Sequence, residues 1–101
     1  MVNFRKTLLL GAFCLASLGA SAQDSWVIGQ SAPLSGGNAR FGNDVRDAAM
    51  AMTALINDGG GVAGRALELV TLDDANDRKK AAANTTVLLK QRNAIALFGY
   101  G

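Results

Sequence analysis

Three places in the chain combine residue types at spacings that could do chemistry: the aspartates Asp73, Asp74 and Asp77, and two glycine-bounded segments, residues 37–42 and 59–64. Clustered carboxylates can hold a hard cation, but these lack the alternating spacing and the glycine of a calcium loop. Helix capping and solvation account for them. Residues 37–42 (GNARFG) have the G-x-x-x-x-G outline of a phosphate loop. Asn43 and Asp44 then stand where that loop needs Lys and Ser/Thr, and Asp44 would repel a phosphate. Residues 59–64 (GGGVAG) match G-x-G-x-x-G letter for letter. A dinucleotide loop follows a strand and opens a helix, whereas this segment follows a helical pattern and opens a strand, so it reads as a turn. Asn84-Thr85-Thr86 is a formal glycosylation sequon inside a helical pattern and is taken as chance, and Lys79-Lys80 as a solvated helix face.

Composition narrows the chemistry further. The 101 residues contain no His and one Cys. Ser-His-Asp and Cys-His catalysis, His-liganded metals, an intrachain disulfide and an all-cysteine zinc site are thereby excluded. No catalytic residue, metal or cofactor is expected. The formal charge of +2 invites a nucleic-acid reading until the charges are placed. Arg5 and Lys6 precede an uncharged apolar run, residues 7–18 (TLLLGAFCLASL), and Ala20-Ser21-Ala22 follows. This basic, apolar, A-x-A order is that of a secretory signal peptide, and the run is too short for the ~20 residues that span a bilayer. Cys14 belongs to the signal core, since the bulky Phe13 before it does not suit lipidation. Residues 1–22 are therefore expected to be removed, and residues 23–101 to mature without cysteine. Eight cations and eight anions remain in that portion. Electrostatic attraction to nucleic acid loses its basis.

Five elements must position whatever the mature portion does. Residues 26–32 (WVIGQSA) read as a strand ended by Pro33. Residues 34–42 form a glycine-rich loop. A helix over 44–57 follows, capped by Asn43 or Asp44, with Val45, Ala48, Ala49, Met52, Leu55 and Ile56 as its apolar stripe. Residues 58–61 (DGGG) stop it. A second strand is predicted over 65–72, and a polar loop over 73–77 whose last residues cap a second helix over 78–91. A third strand is predicted over 94–98 (AIALF), apolar on both faces. The order β-α-β-α-β predicts an α/β fold: a parallel sheet of order 2-1-3, the start of a doubly wound arrangement. An apolar outer strand wants another neighbour, so the chain is expected to be the beginning of a longer one.

In doubly wound sheets ligands bind beyond the carboxyl ends of the strands, near the switch in strand order. The loops over residues 31–42, 73–77 and 99–101 reach that edge, the first with Ser31, Ser35, backbone N–H groups and Phe41 beside a helix start. Such a set suits a small carboxylate, with N–H and hydroxyl donors for the anion and an aromatic wall for an apolar group. The same residues also suit a purely structural role, Phe41 packing on the helix start and Ser35 shaping the turn.

Taken in order, residues 29–36 (GQSAPLSG), Phe41-Gly42, residues 57–65 (NDGGGVAGR), 69–74 (LVTLDD), 81–89 (AAANTTVLL) and 94–99 (AIALFG) carry a family resemblance over essentially the whole mature portion. The chain resembles the start of the periplasmic solute-binding proteins of branched-chain amino acid ABC transporters. That resemblance implies a type I periplasmic binding fold of two lobes closing around a ligand, of which this chain would be the incomplete first lobe. It implies that Phe41 lines the ligand cleft, that Leu34 and Ser35 border it, and that Tyr100 and Gly101 begin the next ligand-contacting loop. It further implies a periplasmic, non-enzymatic monomer that takes an amino acid or related small carboxylate to an inner-membrane permease. A sensory ectodomain of the same fold and a secreted α/β enzyme are the competing readings. A transmembrane helix with a kinase, or a downstream Ser, Cys or His constellation, would mark them.

Overall fold

The computed structural model describes residues 25–100; the signal peptide expected over residues 1–22 and the site expected at Gly101 lie outside them. Trp26, Val27 and Ile28 favour extended backbone, and they open β1 (Trp26–Ala32), which becomes fully buried toward its carboxyl end. Pro33, also buried, ends it by lacking a ladder donor.

The first helix, α1 (Ala39–Asp58), begins at Ala39 and not at the predicted Asp44. Gly42 explains the earlier start. Its missing side chain lets the first turn sit directly on Pro33, whose carbonyl a Cβ at residue 42 would strike. Neither Asn43 nor Asp44 is the cap. Asn38 occupies the N-cap position without a side-chain cap bond. The Asn43 amide donates instead to the carbonyls of Leu34 (3.1 Å) and Ala39 (2.7 Å), tying the preceding loop to the helix. The apolar stripe is narrower than predicted, with Met52 and Leu55 exposed. Gly60 and Gly61 take the positive φ values that turn the chain after the helix, while Gly59 remains right-handed.

β2 (Leu67–Asp73) starts after the predicted Arg65, because Arg65 is drawn into an antiparallel bridge with Val62. The Asn57 carboxamide grips both backbone groups of Leu67, at 2.8 and 2.9 Å, and so joins the end of α1 to the start of β2. The Arg65 guanidinium lies 3.6 Å over the Trp26 ring, whose indole N–H donates to the Val62 carbonyl. α2 (Arg78–Lys90) is capped by Asp77, as predicted: its carboxylate accepts the N–H groups of Lys79 and Lys80. The helix ends at Lys90, not Gln91. β3 is confined to Ala96–Leu97, shorter than the predicted 94–98, with flanking bonds from Ile95 to Val27 and from Phe98 to Gly29.

The sheet is parallel with order β2-β1-β3, as the element pattern predicts. Right-handed crossovers in that order set the two helices on opposite faces. Leu88 of α2 is fully buried and rests on Gly29, where a Cβ would stand 3.1 Å from it. Burying such a leucine contributes about 2 kcal/mol. Among the described residues no helix is long and apolar enough to cross a membrane.

Candidate functional site

β1 and β2 end together, with Ala32 opposite Asp73, so the loops that follow them emerge side by side at the carboxyl edge of the sheet. Asp73 joins these loops. Its carboxylate accepts the Ser35 hydroxyl (2.6 Å), the Leu34 N–H (2.8 Å) and the Ala75 N–H (2.8 Å). Those donors stabilise the ionised form, the Ser35 hydroxyl most of all, and hold the Asp73 carboxyl down at about 2.

Asp74 makes a second junction on the buried side. It is 7% exposed and accepts the Ser31 hydroxyl (2.8 Å) and the Asn76 N–H (2.9 Å). Asn84 of α2 reaches back to the Ser31 oxygen (3.1 Å) and the Asp73 carbonyl (3.0 Å). A buried carboxylate is tolerated because both its oxygens are satisfied. Asp73 and Asp74 therefore do more than the capping and solvation read from the sequence, and the Asn84 side chain has a structural task.

Between the amino-terminal turns of α1 and α2 lies an open cleft of about 390 Å³, lined by Pro33, Asn38, Phe41, Asp74, Asn76, Asp77, Arg78 and Ala81. The volume falls within the range of small-ligand pockets. Phe41 stands in the first turn of α1, 62% exposed, and forms the apolar wall. Asn38, Asn76, Asp77 and Arg78 add amide, carboxylate and guanidinium groups to the lining. Among the described residues no three His, Cys, Asp or Glu side chains converge as a metal site.

The structure thus brings Phe41 to the cleft and sets Leu34 and Ser35 next to its lining residue Pro33. The Leu34 N–H and the Ser35 hydroxyl point to Asp73, so these two residues shape the rim through that junction. Tyr100 lies against α2, its hydroxyl 2.7 Å from that of Thr85, apart from the cleft lining. Asn38, Asn76 and Arg78 escape a reading by composition. The parallel register, which carries the 74–77 loop to the side of the 33–38 loop, is the signal that finds them.

Comparison with known proteins follows the same geometry. A family model described as periplasmic binding protein matches residues 25–101. An amino acid binding protein of Pseudomonas aeruginosa is 37% identical over 98 residues, a stretch covering 96% of this chain and 26% of that one. The chain thus spans about a quarter of the length of this curated relative. Among solved structures, the branched-chain amino acid transporter substrate-binding protein LivJ of Streptococcus pneumoniae, in complex with isoleucine, superposes with a TM-score of 0.73 at 30% identity, over 76% of this chain and 22% of LivJ. A fatty acid ABC transporter substrate-binding protein of Thermomonospora curvata gives 0.65 at 27% identity, over 73% and 18%. Sheet order, the cleft at the carboxyl edge and a family match across the described residues agree: this chain belongs to the periplasmic binding proteins.

Proposed function

We propose that this chain is the amino-terminal part, residues 23–101, of the first lobe of a substrate-binding component of an ABC importer. Residues 1–22 direct it to the periplasm and are removed there. The protein captures an amino acid or related small carboxylate, with branched-chain amino acids as the reference set, and presents it as a monomer to an inner-membrane permease. It binds its ligand and does not transform it. The observation that carries the reading is the cleft at the carboxyl edge, where Phe41 offers an exposed aromatic face beside uncommitted polar groups. Leu34 and Ser35 shape the rim, and Tyr100 and Gly101 lead into the next contacting loop. Capture by such a protein draws on apolar enclosure and hydrogen bonds, with closure of two lobes as the signal to the permease.

Calorimetry of the full-length protein against a panel of amino acids tests this. At least one member binds, and Phe41→Ala weakens it roughly tenfold through loss of the aromatic wall. Unchanged affinity in that variant would remove Phe41 from the site.

A further inference from the structure

Among the described residues, Gln30 is the buried side chain whose hydrogen-bonding needs are only half met. It lies in β1, fully buried, and its Oε1 accepts the Thr71 hydroxyl at 2.9 Å. Its Nε2 is sealed from solvent and has no partner among the described residues. That amide is aimed at Gly99, where a Cβ would stand 2.7 Å from Nε2. Gly99 lies just beyond β3 with a φ of 69°, a left-handed conformation that glycine takes without strain. The main chain therefore leaves β3 directly across the Gln30 amide. A buried donor without a partner is costly, and native structures seldom keep one.

We propose that Gln30 is a positioning residue for ligand capture: its Nε2 donates to a main-chain carbonyl of the turn over residues 98–100 and fixes that turn at the ligand edge. This role rests on the solute-binding reading above and deepens it. β1 lies between β2 and β3, so the turn after β3 emerges beside β1, at the switch in strand order near which such sheets bind ligands. A solute cannot reach Nε2 while it is sealed, and Gly99 has no side chain to offer. The acceptor within reach is the main chain. The missing Cβ at residue 99 leaves the adjoining peptides room to turn a carbonyl onto the amide.

A crystal structure of the full-length protein is expected to place a main-chain carbonyl of residues 98–100 about 2.7–3.2 Å from Nε2. An amide left unpartnered, or held by any other group, overturns the proposal. Calorimetry with leucine, isoleucine, valine and glutamate then compares wild type with Gln30→Met, which keeps the length of the side chain without its donor. Each of these that binds wild type is expected to lose affinity by the same factor, roughly three- to tenfold. Hydrogen exchange separates positioning from a general loss of stability. The amides of residues 98–100 exchange faster in the variant, while those of the β1–β2 ladder keep their wild-type rates. Unchanged affinity, a loss that differs between ligands, or exchange accelerated equally across the ladder overturns the proposal. If the variant does not fold, the crystal structure decides. Failure of all four to bind wild type overturns the solute-binding reading and, with it, the role of Gln30.

Discussion

Asp73 is an exposed carboxylate whose three donors come from two separate loops, so its protonation is a direct probe of whether those loops are joined. A carboxyl group with a lowered pKa in the folded state stabilises that state only while ionised. The contribution is complete above the ordinary value of 3.8 and fades as the pH falls toward about 2. Carbon-detected NMR of the Asp73 carboxyl is expected to show a midpoint near 2, with the Leu34 and Ala75 amide signals moving at the same midpoint. A midpoint near 3.8 would mean that the junction does not hold in solution. Little of this was legible in the residues themselves. An aspartate four positions before the helix cap Asp77 reads as loop chemistry, and only the pairing of Ala32 with Asp73 brings Leu34 and Ser35 to it. The position of Phe41 beside a helix start was legible, and the structure sets it in the first turn of α1 on the cleft.

At the scale of elements, the distance between α2 and the sheet is set by the absence of one side chain. Gly29 lies under Leu88, whose atoms stand 3.1–3.2 Å from where a Cβ would be. Gly29→Ala is expected to destabilise the fold by about 1–3 kcal/mol through overpacking, and Leu88→Ala by about 2–5 kcal/mol through the space it vacates. The double variant falls short of the sum by about 1 kcal/mol, because the smaller residue 88 gives room for the added methyl. Urea unfolding of the four proteins measures this, and strict additivity would deny the contact. Element order and type followed from periodicity, and so did both ends of β1 and the start of α2, but the other boundaries did not. The start of α1 was missed because glycine and loop-like residues mask it, whereas Gly42 serves to let the helix approach Pro33. Asp77 was read correctly as a cap, since its two acceptor bonds are local and leave a local sequence signature. β3 came out shorter than its apolar run because it pairs on one side only, with β1.

Across the whole molecule, the described residues bury few large side chains, with Ala32, Val70 and Leu88 as the hydrophobic core. Ile95, Leu97 and Phe98 line the open β3 edge at 62%, 41% and 46% exposure. Residues 23–101 alone are therefore expected to self-associate as their concentration rises, and Ile95→Lys to suppress this, because an apolar unpaired edge templates further pairing. Sedimentation velocity distinguishes the outcomes: a species that stays monomeric at every concentration would show that the edge is not adhesive. The parallel sheet, its strand order and the edge where the 31–42 and 73–77 loops meet were legible because strand and helix periods alternate cleanly along the chain; which residues of those loops line the cleft was not, since they lie far apart in sequence. The junctions at Asp73 and Asp74 have a mechanical consequence. They bolt the loop after β1, the loop after β2 and the flank of α2 into one stiff jaw. For the function proposed above, this makes the loops on this side of the cleft a surface that holds its shape rather than one that folds over.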